Sequence, residues 1–252
     1  DSQRGYVANT FGDSVTILDL SLPRVLRTIS LGPRPELTLA QRGEELFHDA
    51  TLSHDGWFSC HSCHTDGHSN GMLNDNLGDG SFGAAKRVLS LLGTADTGPW
   101  GWNGQAADLQ QQIKKSIRTT MLGNNASSSR VEALAAYVRS LEPAPSLARL
   151  QDACDEPSFK RGRIVFEVRG CTGCHGPETF TSEDTYDVGL TDRHGNRQFN
   201  PPSLRGVSQR DALFHDNSAT SLEDVLTRQR PQLDKPLPPP EWAYLLAYLL
   251  GL

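Results

Sequence analysis

The spacing of hydrophobic positions divides the chain into a short β-like beginning and a long helical remainder. Within residues 1–32, apolar and polar residues alternate in strand fashion, with one apolar run around Val15 and Ile17 and a second from Val25 to Leu31. The Ser-Leu-Pro sequence between the two runs is typical of a turn. We therefore expect a β-hairpin at the start of the chain.

From Pro33 onward the apolar positions recur at helical spacing. One face at i, i+4 carries Leu109, Ile113, Ile117 and Met121, which predicts a helix over 105–121. Further helices are predicted over 39–53, 127–141, 158–170 and 238–252. The order of helix, loops and closing helix occurs twice, on either side of a proline-containing linker at 142–146.

Three helix starts carry recognisable signals. Ser129 and Glu132 have the spacing of a capping box, and Thr220 and Glu223 repeat that spacing before a short predicted helix. Prolines open the segment 238–252, where they are tolerated in the first helical turn. The chain is thus predicted to be mainly α-helical.

Composition and charge exclude two broad classes of protein. Lys and Arg number 24 against 30 Asp and Glu, and the formal net charge of −6 argues against a nucleic-acid binder, which needs a basic surface. No run approaches the roughly 20 apolar residues of a membrane-spanning helix. The chain starts without a basic, apolar leader, so we expect any secretory signal to have been removed already.

The cysteines carry the main chemical signal. Four of the five form two C-x-x-C pairs, and a histidine follows each pair directly, in CHSCH at 60–64 and CTGCH at 171–175. Two thiols at this spacing add to the two vinyl groups of one haem, and the next imidazole becomes the proximal iron ligand. The predicted haem-binding residues are Cys60, Cys63 and His64 for the first haem and Cys171, Cys174 and His175 for the second.

Three other interpretations of the cysteine pairs remain: a Cys₄ zinc site, redox dithiols, and two disulfides. None of them accounts for a histidine after both pairs, so two covalent c-type haems are favoured, with His64 and His175 on the irons. Cys154 is left over, and a small, buried or partly buried residue is its simplest interpretation.

The β-like beginning resembles one repeat of a YVTN-type β-propeller, in YVAN at 6–9 and SVTILDL at 14–20. A blade needs four strands and a propeller needs several blades, so this segment cannot close a propeller by itself. We expect that a propeller precedes this chain in a longer protein. The alternative is an isolated hairpin packed on a haem domain.

Over about residues 35–252 the chain resembles the bacterial di-haem cytochrome c peroxidase and MauG-like family. The similarity lies in the two haem motifs and in four further strings: RGEELFHDATLS at 42–53, WNGQAADLQQQIKKSI at 102–117, FNPPSLRGVS at 199–208 and LFHDNSATSLEDVL at 213–226. The resemblance implies two cytochrome c-like domains, at 33–146 and 147–252, after the hairpin at 1–32.

The same resemblance implies an activity and its partners. The N-terminal haem would reduce hydrogen peroxide to two waters, and the C-terminal haem would accept electrons from a small cytochrome c or cupredoxin. Trp102 matches the position of an inter-haem tryptophan that carries electrons, with Trp100 as the fallback and ordinary aromatic core as the alternative. Covalent haem is attached outside the cytoplasm, so we expect a periplasmic or other extracytoplasmic location.

The chain departs from the family at four positions. The family's catalytic Glu falls on Leu122, and its displaceable distal His falls on Gly80, so the first haem is expected to be open. The distal ligand of the second haem falls on Gln229, and the side-chain ligand of an inter-domain calcium ion falls near Arg87. These departures keep two alternatives open: a MauG-like oxidase that uses peroxide on another substrate, and a di-haem electron-transfer module.

Three other residues are candidates with more ordinary alternatives. His68 is a candidate proton donor or ligand, or a loop residue that contacts a haem propionate. Met72 is a candidate distal ligand or a loop-packing residue. His215 matches a family position near the C-terminal haem, and its alternative is a buried, hydrogen-bonded histidine. One calcium ion is a further possible cofactor.

Overall fold

A computed structural model describes residues 3–77, 80, 82–124 and 126–252. The first two residues of the predicted 1–32 segment therefore lie outside the described residues. The fold is mainly helical, with a small sheet at the start of the chain and two helical units after it. Within the described residues, no helix combines the length and the hydropathy that a membrane span requires.

The initial segment is a three-stranded antiparallel sheet, one strand more than the predicted hairpin. Its strands are β1 (Arg4–Asn9), β2 (Ser14–Asp19) and β3 (Arg24–Ser30), in the spatial order β1-β2-β3. The turn after β2 forms because the Asp19 carboxylate accepts hydrogen bonds from the backbone N–H groups of Ser21 and Leu22, at 3.0 and 3.1 Å.

The remaining elements form two units of similar design. The first unit contains β4 (Leu73–Asn74), β5 (Lys86–Arg87), α1 (Leu39–His48), α2 (Leu109–Lys115) and α3 (Ser128–Ser140). The second contains α4 (Leu147–Leu150), α5 (Glu156–Val168), α6 (Leu222–Asp224) and α7 (Pro239–Leu250). In each unit the first long helix packs against the last one, α1 against α3 and α5 against α7.

A glycine lies at each of these two helix crossings. A Cβ atom at Gly43 would lie 2.0 Å from the carbonyl oxygen of Ala133, and one at Gly162 would lie 1.9 Å from that of Tyr244. No side chain larger than hydrogen fits at either contact, so the two helix pairs approach backbone to backbone. The two units thus use the same packing device.

The helix predicted over 105–121 is shorter than expected. Asp108 caps α2, its carboxylate accepting from the backbone N–H of Gln111 at 2.7 Å. After Lys115 the chain continues as a π-helical turn, Ser116–Thr120, and the second unit has a corresponding π-helical turn at Val225–Gln229. A wider turn of this kind breaks the 3.6-residue period that the prediction extended.

Both predicted capping boxes are wrong in detail. Helix α3 begins at Ser128, and its N-cap residue, Ser127, makes no side-chain capping bond, so Ser129 lies inside the helix. At α6 the capping residue is Ser221 instead of Thr220, because the Ser221 hydroxyl accepts from the backbone N–H of Asp224 at 3.1 Å. Neighbouring hydroxyl residues make such start positions ambiguous by one or two residues.

Candidate haem sites

The first helical unit encloses a cavity of about 230 Å³, which we call the first cavity. Its apolar wall includes Phe47 from α1 and Leu134 and Val138 from α3. A single 3₁₀ turn, Cys60–Ser62, carries the start of CHSCH and brings both thiols and the imidazole of His64 to the cavity. Burial raises the pKa of the Cys60 thiol to about 12.

The His64 ring is held in the orientation that an iron ligand needs. Its Nδ1 lies 3.4 Å from the carbonyl oxygen of His68, and the ring also interacts with the backbone of Leu89. Burial lowers the pKa of His64 and so favours the neutral imidazole, the form that binds metals.

The second unit encloses a second cavity of about 220 Å³. Phe166 from α5 and Leu245 and Leu249 from α7 form part of its wall, and the CTGCH motif lies on it. The Nδ1 atom of His175 lies 2.8 Å from the carbonyl oxygen of Phe180, and burial lowers the pKa of this imidazole as well. The two cavities therefore present the same cysteine and histidine chemistry.

Six residues line both cavities and form a shared wall: Arg87, Leu89, Ser90, Trp102, Pro202 and Arg210. Trp102 is fixed there by two hydrogen bonds. Its indole Nε1–H donates to the carbonyl oxygen of Arg87 at 2.7 Å, and its own carbonyl accepts from the backbone N–H of Asn200 at 2.8 Å. The predicted inter-haem tryptophan thus borders both cavities.

The shared wall carries buried positive charge. The Arg87 guanidinium donates to Asp211 at 2.8 Å and to the side chain of Asn217 at 3.0 Å. Arg210 donates to backbone carbonyl oxygens and, within the described residues, makes no ion pair. Burial, together with the nearby charge of Arg87, lowers the pKa of Arg210 to about 10.

These residues fit two haem groups. Each cavity combines apolar walls, a pair of thiols and a neutral imidazole, and haem carries two propionate groups that require positive partners. Arg87 and Arg210 supply buried positive charge that a single carboxylate, that of Asp211, partly balances. Haem therefore fits each cavity because of this positive charge and because each cavity provides two thiols and an imidazole.

The residues do not fit the predicted calcium ion. The position expected to hold its side-chain ligand is occupied by the buried guanidinium of Arg87, which a divalent cation would repel. Among the described residues, no cluster of three or more His, Cys, Asp or Glu side chains is arranged to hold a metal.

The two cavities differ in polarity. Polar side chains of the first cavity come from α2, the turn after it, a neighbouring loop and β5, and they include Gln112, Ser116, Thr120, Asn76 and Lys86. The corresponding part of the second cavity is mostly apolar, with Ala212, Phe214, Val225, Leu226 and Leu233. Of the described residues that line either cavity, none is Asp or Glu.

Two of the candidate residues in the first half lie elsewhere than expected. His68 lines the second cavity and not the first; its Nδ1 lies 2.7 Å from the hydroxyl of Ser90, and burial lowers its pKa. Met72 is 60% exposed and lines neither cavity, so the structure gives a ligand role no support. Leu122, the position of the missing Glu, is exposed and lines neither cavity.

In the second half, Gln229 is exposed and does not reach the second cavity, whereas Gln232 does. His215 is fully buried and also lines neither cavity. Its ring stacks on Phe199 at 4.4 Å between centroids and meets Trp102 edge-on at 6.3 Å. The structure therefore places His215 as packing beside the tryptophan.

Sequence reasoning missed Gln112, Lys86 and Arg210 as site residues. Gln112 was within the predicted helix, and its position on the face toward the cavity could have been found from the helical period. Lys86 lies on a strand of two residues and Arg210 follows a short turn, so no periodicity marks either one.

Comparison with known proteins agrees with this geometry. Residues 38–146 match the profile of the di-haem cytochrome c peroxidase family. The chain is 26% identical to hydrazine synthase subunit gamma of Kuenenia stuttgartiensis, over 75% of this chain and 69% of that one. It is 24% identical to the methylamine utilization protein MauG of Methylophilus methylotrophus, over 75% and 71% of the two chains.

Solved structures show the same likeness. A chain of the Kuenenia stuttgartiensis hydrazine synthase aligns with a TM-score of 0.75 at 25% identity, covering 91% of this chain and 99% of that one. A variant of the di-haem peroxidase BthA of Burkholderia thailandensis aligns with a TM-score of 0.60 at 17% identity, covering 90% and 89%.

The fold and the two cysteine-histidine cavities are similar to those of haem-based oxidoreductases of the di-haem peroxidase class. Within that class, the matches confirm the similarity of the chain to the di-haem cytochrome c peroxidase and MauG family.

Proposed function

We propose that this protein is an extracytoplasmic di-haem c-type oxidoreductase that reduces hydrogen peroxide at the first cavity. The observation that supports this proposal most is the pair of cavities that share Trp102 in their walls. The first cavity is polar and the second is mainly apolar. The overall reaction joins one hydrogen peroxide, two protons and two electrons to give two waters. A small redox protein, a cytochrome c or a cupredoxin, would supply the electrons.

Each cavity would hold one haem through the residues of its own motif. The cysteine thiols would form the thioether bonds, the Nε2 of each motif histidine would bind the iron, and Arg87 and Arg210 would neutralise propionates. Bound haem supplies the one-electron chemistry on which peroxide reduction depends. The protein's own contribution is to separate the two groups, hold their imidazoles and exclude water from the apolar side.

Trp102 would assist electron transfer from the second site to the first. Its position on both cavity walls supports this role; the hydrogen bond from the indole to Arg87 holds the ring, and the bond from Asn200 holds the backbone. The Nε1–H donates to a backbone carbonyl, a poor proton acceptor. We therefore infer that electrons pass this residue without the loss of the indole proton.

Among the described residues, no carboxylate lines the first cavity, and this favours a second candidate function. A carboxylate would assist proton transfer in peroxide cleavage, and its absence would slow that reaction. A MauG-like oxidase, which directs the oxidising power of peroxide to another substrate, is therefore the alternative, and the similarity to MauG supports it. A di-haem electron-transfer module is the third candidate.

The deciding experiment follows the haem spectra after peroxide is added. Haem content is first measured by the pyridine haemochrome assay, with two haems per chain expected and retention on a denaturing gel showing covalent attachment. The fully reduced holoprotein is then mixed with one equivalent of hydrogen peroxide in a stopped-flow spectrometer. We expect two haem equivalents to be oxidised per peroxide, and continued turnover when a reduced cytochrome c is present.

Other results would refute this assignment in distinct ways. A fast reaction with peroxide but no turnover of any reduced donor would favour the MauG-like alternative. Six-coordinate, low-spin spectra at both haems with no response to peroxide would exclude both enzymes and leave an electron-transfer module.

A further inference from the structure

Among the described residues that line the first cavity, we searched for a side chain that could donate a proton to a bound peroxide. Within the described residues, its charged lining consists of Lys86, Arg87 and Arg210, besides the haem-binding residues themselves. Arg87 and Arg210 lie on the wall shared by the two cavities, where they would neutralise haem propionates. His64 would be committed to the iron, so Lys86 remains.

Lys86 is buried and directed away from its neighbour on the same strand. Alternate residues of a strand point to opposite sides, and on β5 the side chain of Arg87 binds Asp211 whereas that of Lys86 binds Asp192. The Lys86 Nζ also donates to the carbonyl oxygen of Ala84 at 3.1 Å. The ammonium group is therefore held in one place at the wall of the first cavity.

Asp192 positions the ammonium from the other half of the chain. Its Oδ2 lies 3.0 Å from the Lys86 Nζ, and the two side chains are 2% and 8% exposed. Its Oδ1 accepts from the backbone N–H groups of His194 and Asn196, both at 2.9 Å, which fixes the carboxylate. This buried ion pair links the second unit to the first cavity.

A small side pocket could resupply protons to Lys86. The pocket has a volume of about 30 Å³, and Lys86, Trp102 and Gln112 line both this pocket and the first cavity. Gln105 and Lys115 contribute further polar groups to it. Its volume is enough for about one or two waters.

We propose that Lys86 is the proton donor of the first cavity and that Asp192 positions it; this deepens the proposed function and rests on it. The Lys86 Nζ gives a proton to the departing oxygen of hydrogen peroxide as the O–O bond breaks. The O–O electron pair stays with that oxygen, which leaves as water. The remaining OH takes up two electrons, supplied one at a time by the external donor protein, and one further proton from solvent, and so becomes the second water. Lys86 regains its own proton from solvent.

The test compares two substitutions that separate proton donation from the ion pair. Lys86→Met removes both, whereas Lys86→Arg keeps a positive charge beside Asp192 but cannot release a proton. We expect both variants to react with peroxide about 10²-fold or more slowly than wild type. Lys86→Arg should retain the wild-type unfolding temperature and haem content. Lys114→Met, which removes an exposed lysine of α2, is the matched control and should react normally.

A spectroscopic measurement provides a readout besides activity. Carbon monoxide bound to the reduced first haem reports nearby positive charge, because such charge lowers the C–O stretching frequency. We expect Lys86→Met to raise this frequency, while Lys86→Arg and Lys114→Met leave it near the wild-type value. Asp192→Asn should slow the peroxide reaction less than Lys86→Met does.

The failures are distinguishable. If wild type does not react with peroxide, the proposed function is refuted and the proton-donor role with it. If wild type reacts and Lys86→Arg reacts equally fast, Lys86 serves only the ion pair and the proton-donor role alone is refuted. An unchanged C–O frequency in Lys86→Met would show that the ammonium does not face the ligand-binding side of the first haem.

Discussion

Gly43 and Gly162 allow a test of the helix crossings that shape the two cavities. We consider Gly43→Ala and Gly162→Ala, each of which adds one methyl group. The new Cβ would lie 2.0 Å from the Ala133 carbonyl oxygen in the first case and 1.9 Å from that of Tyr244 in the second, whereas ordinary contacts begin at 3.4 Å. Each helix pair would therefore have to separate by about 1.4 to 1.5 Å.

Such separation should cost stability and loosen the cavity of the same unit. Overpacking of this kind typically costs about 1–3 kcal/mol. For a unit of about 100 residues, this corresponds to a fall in the unfolding temperature of roughly 5–20 °C. Because Phe47 and Val138 lie on α1 and α3 and line the first cavity, Gly43→Ala should perturb the first haem more than the second.

The assay is thermal unfolding of the holoprotein, followed by circular dichroism and by the haem absorption band. Gly12→Ala is the control, because a Cβ atom there would meet the Cβ of Asn9 at an ordinary 3.5 Å. We expect the control to unfold at the wild-type temperature. If Gly43→Ala and Gly162→Ala also unfold at that temperature, the helices do not cross as closely as the structure indicates.

Three further predictions concern the site and the interface. Trp102→Phe should keep both haems but slow electron transfer between them, as flash photolysis of a mixed-valence sample would show; an unchanged rate would exclude the tryptophan as a conduit. His175→Met should keep the second haem covalently attached and change its spectrum, and an unchanged spectrum would mean that another residue binds the iron. The pKa values of Asp96 and Asp211 are lowered by their hydrogen bonds from Arg205 and Arg87. Groups with lowered folded-state pKa values stabilise the fold above the ordinary aspartate pKa of about 3.9, and this contribution is lost as the pH falls through the lowered values. We therefore expect small-angle scattering to show the two units of wild type loosening in acid, as the pH falls through these lowered pKa values. A double Asp96→Asn, Asp211→Asn variant should already be looser at neutral pH, and identical profiles of the two proteins at every pH would show that these pairs do not hold the units together.

The parts that the sequence predicts well are local. Each C-x-x-C-H motif contains its predicted haem-binding residues within five positions. The helical hydrophobic periods over 158–170 and 238–252 correspond to α5 and α7. A helix can be predicted from the sequence because apolar residues recur, turn after turn, on the side that faces the core. The helical class and the main elements therefore follow from short windows of sequence.

The parts that it misses depend on geometry between distant segments. Counting along the family pattern placed a distal residue at Gln229, but the π-helical turn that ends there and the left-handed backbone at Arg230 and Gln232 bring Gln232 to the cavity instead. Lys86 and Asp192 are far apart in the sequence, and nothing local pairs them. Their contact exists only once the two units are packed together.

The small sheet at the start of the chain has a practical consequence. Its two outer strands, β1 and β3, each leave one row of backbone hydrogen-bonding groups without a neighbouring strand in the sheet, and every residue of β3 is exposed. Such edges can pair with a strand from another molecule. The positive charges of Arg24 and Arg27 on β3 oppose this pairing by repelling the same edge of a second copy. Salt screens this charge repulsion, so high salt and high protein concentration would favour edge-to-edge association. An oligomer observed only under those conditions would then reflect sample handling and not the assembly in which the protein works.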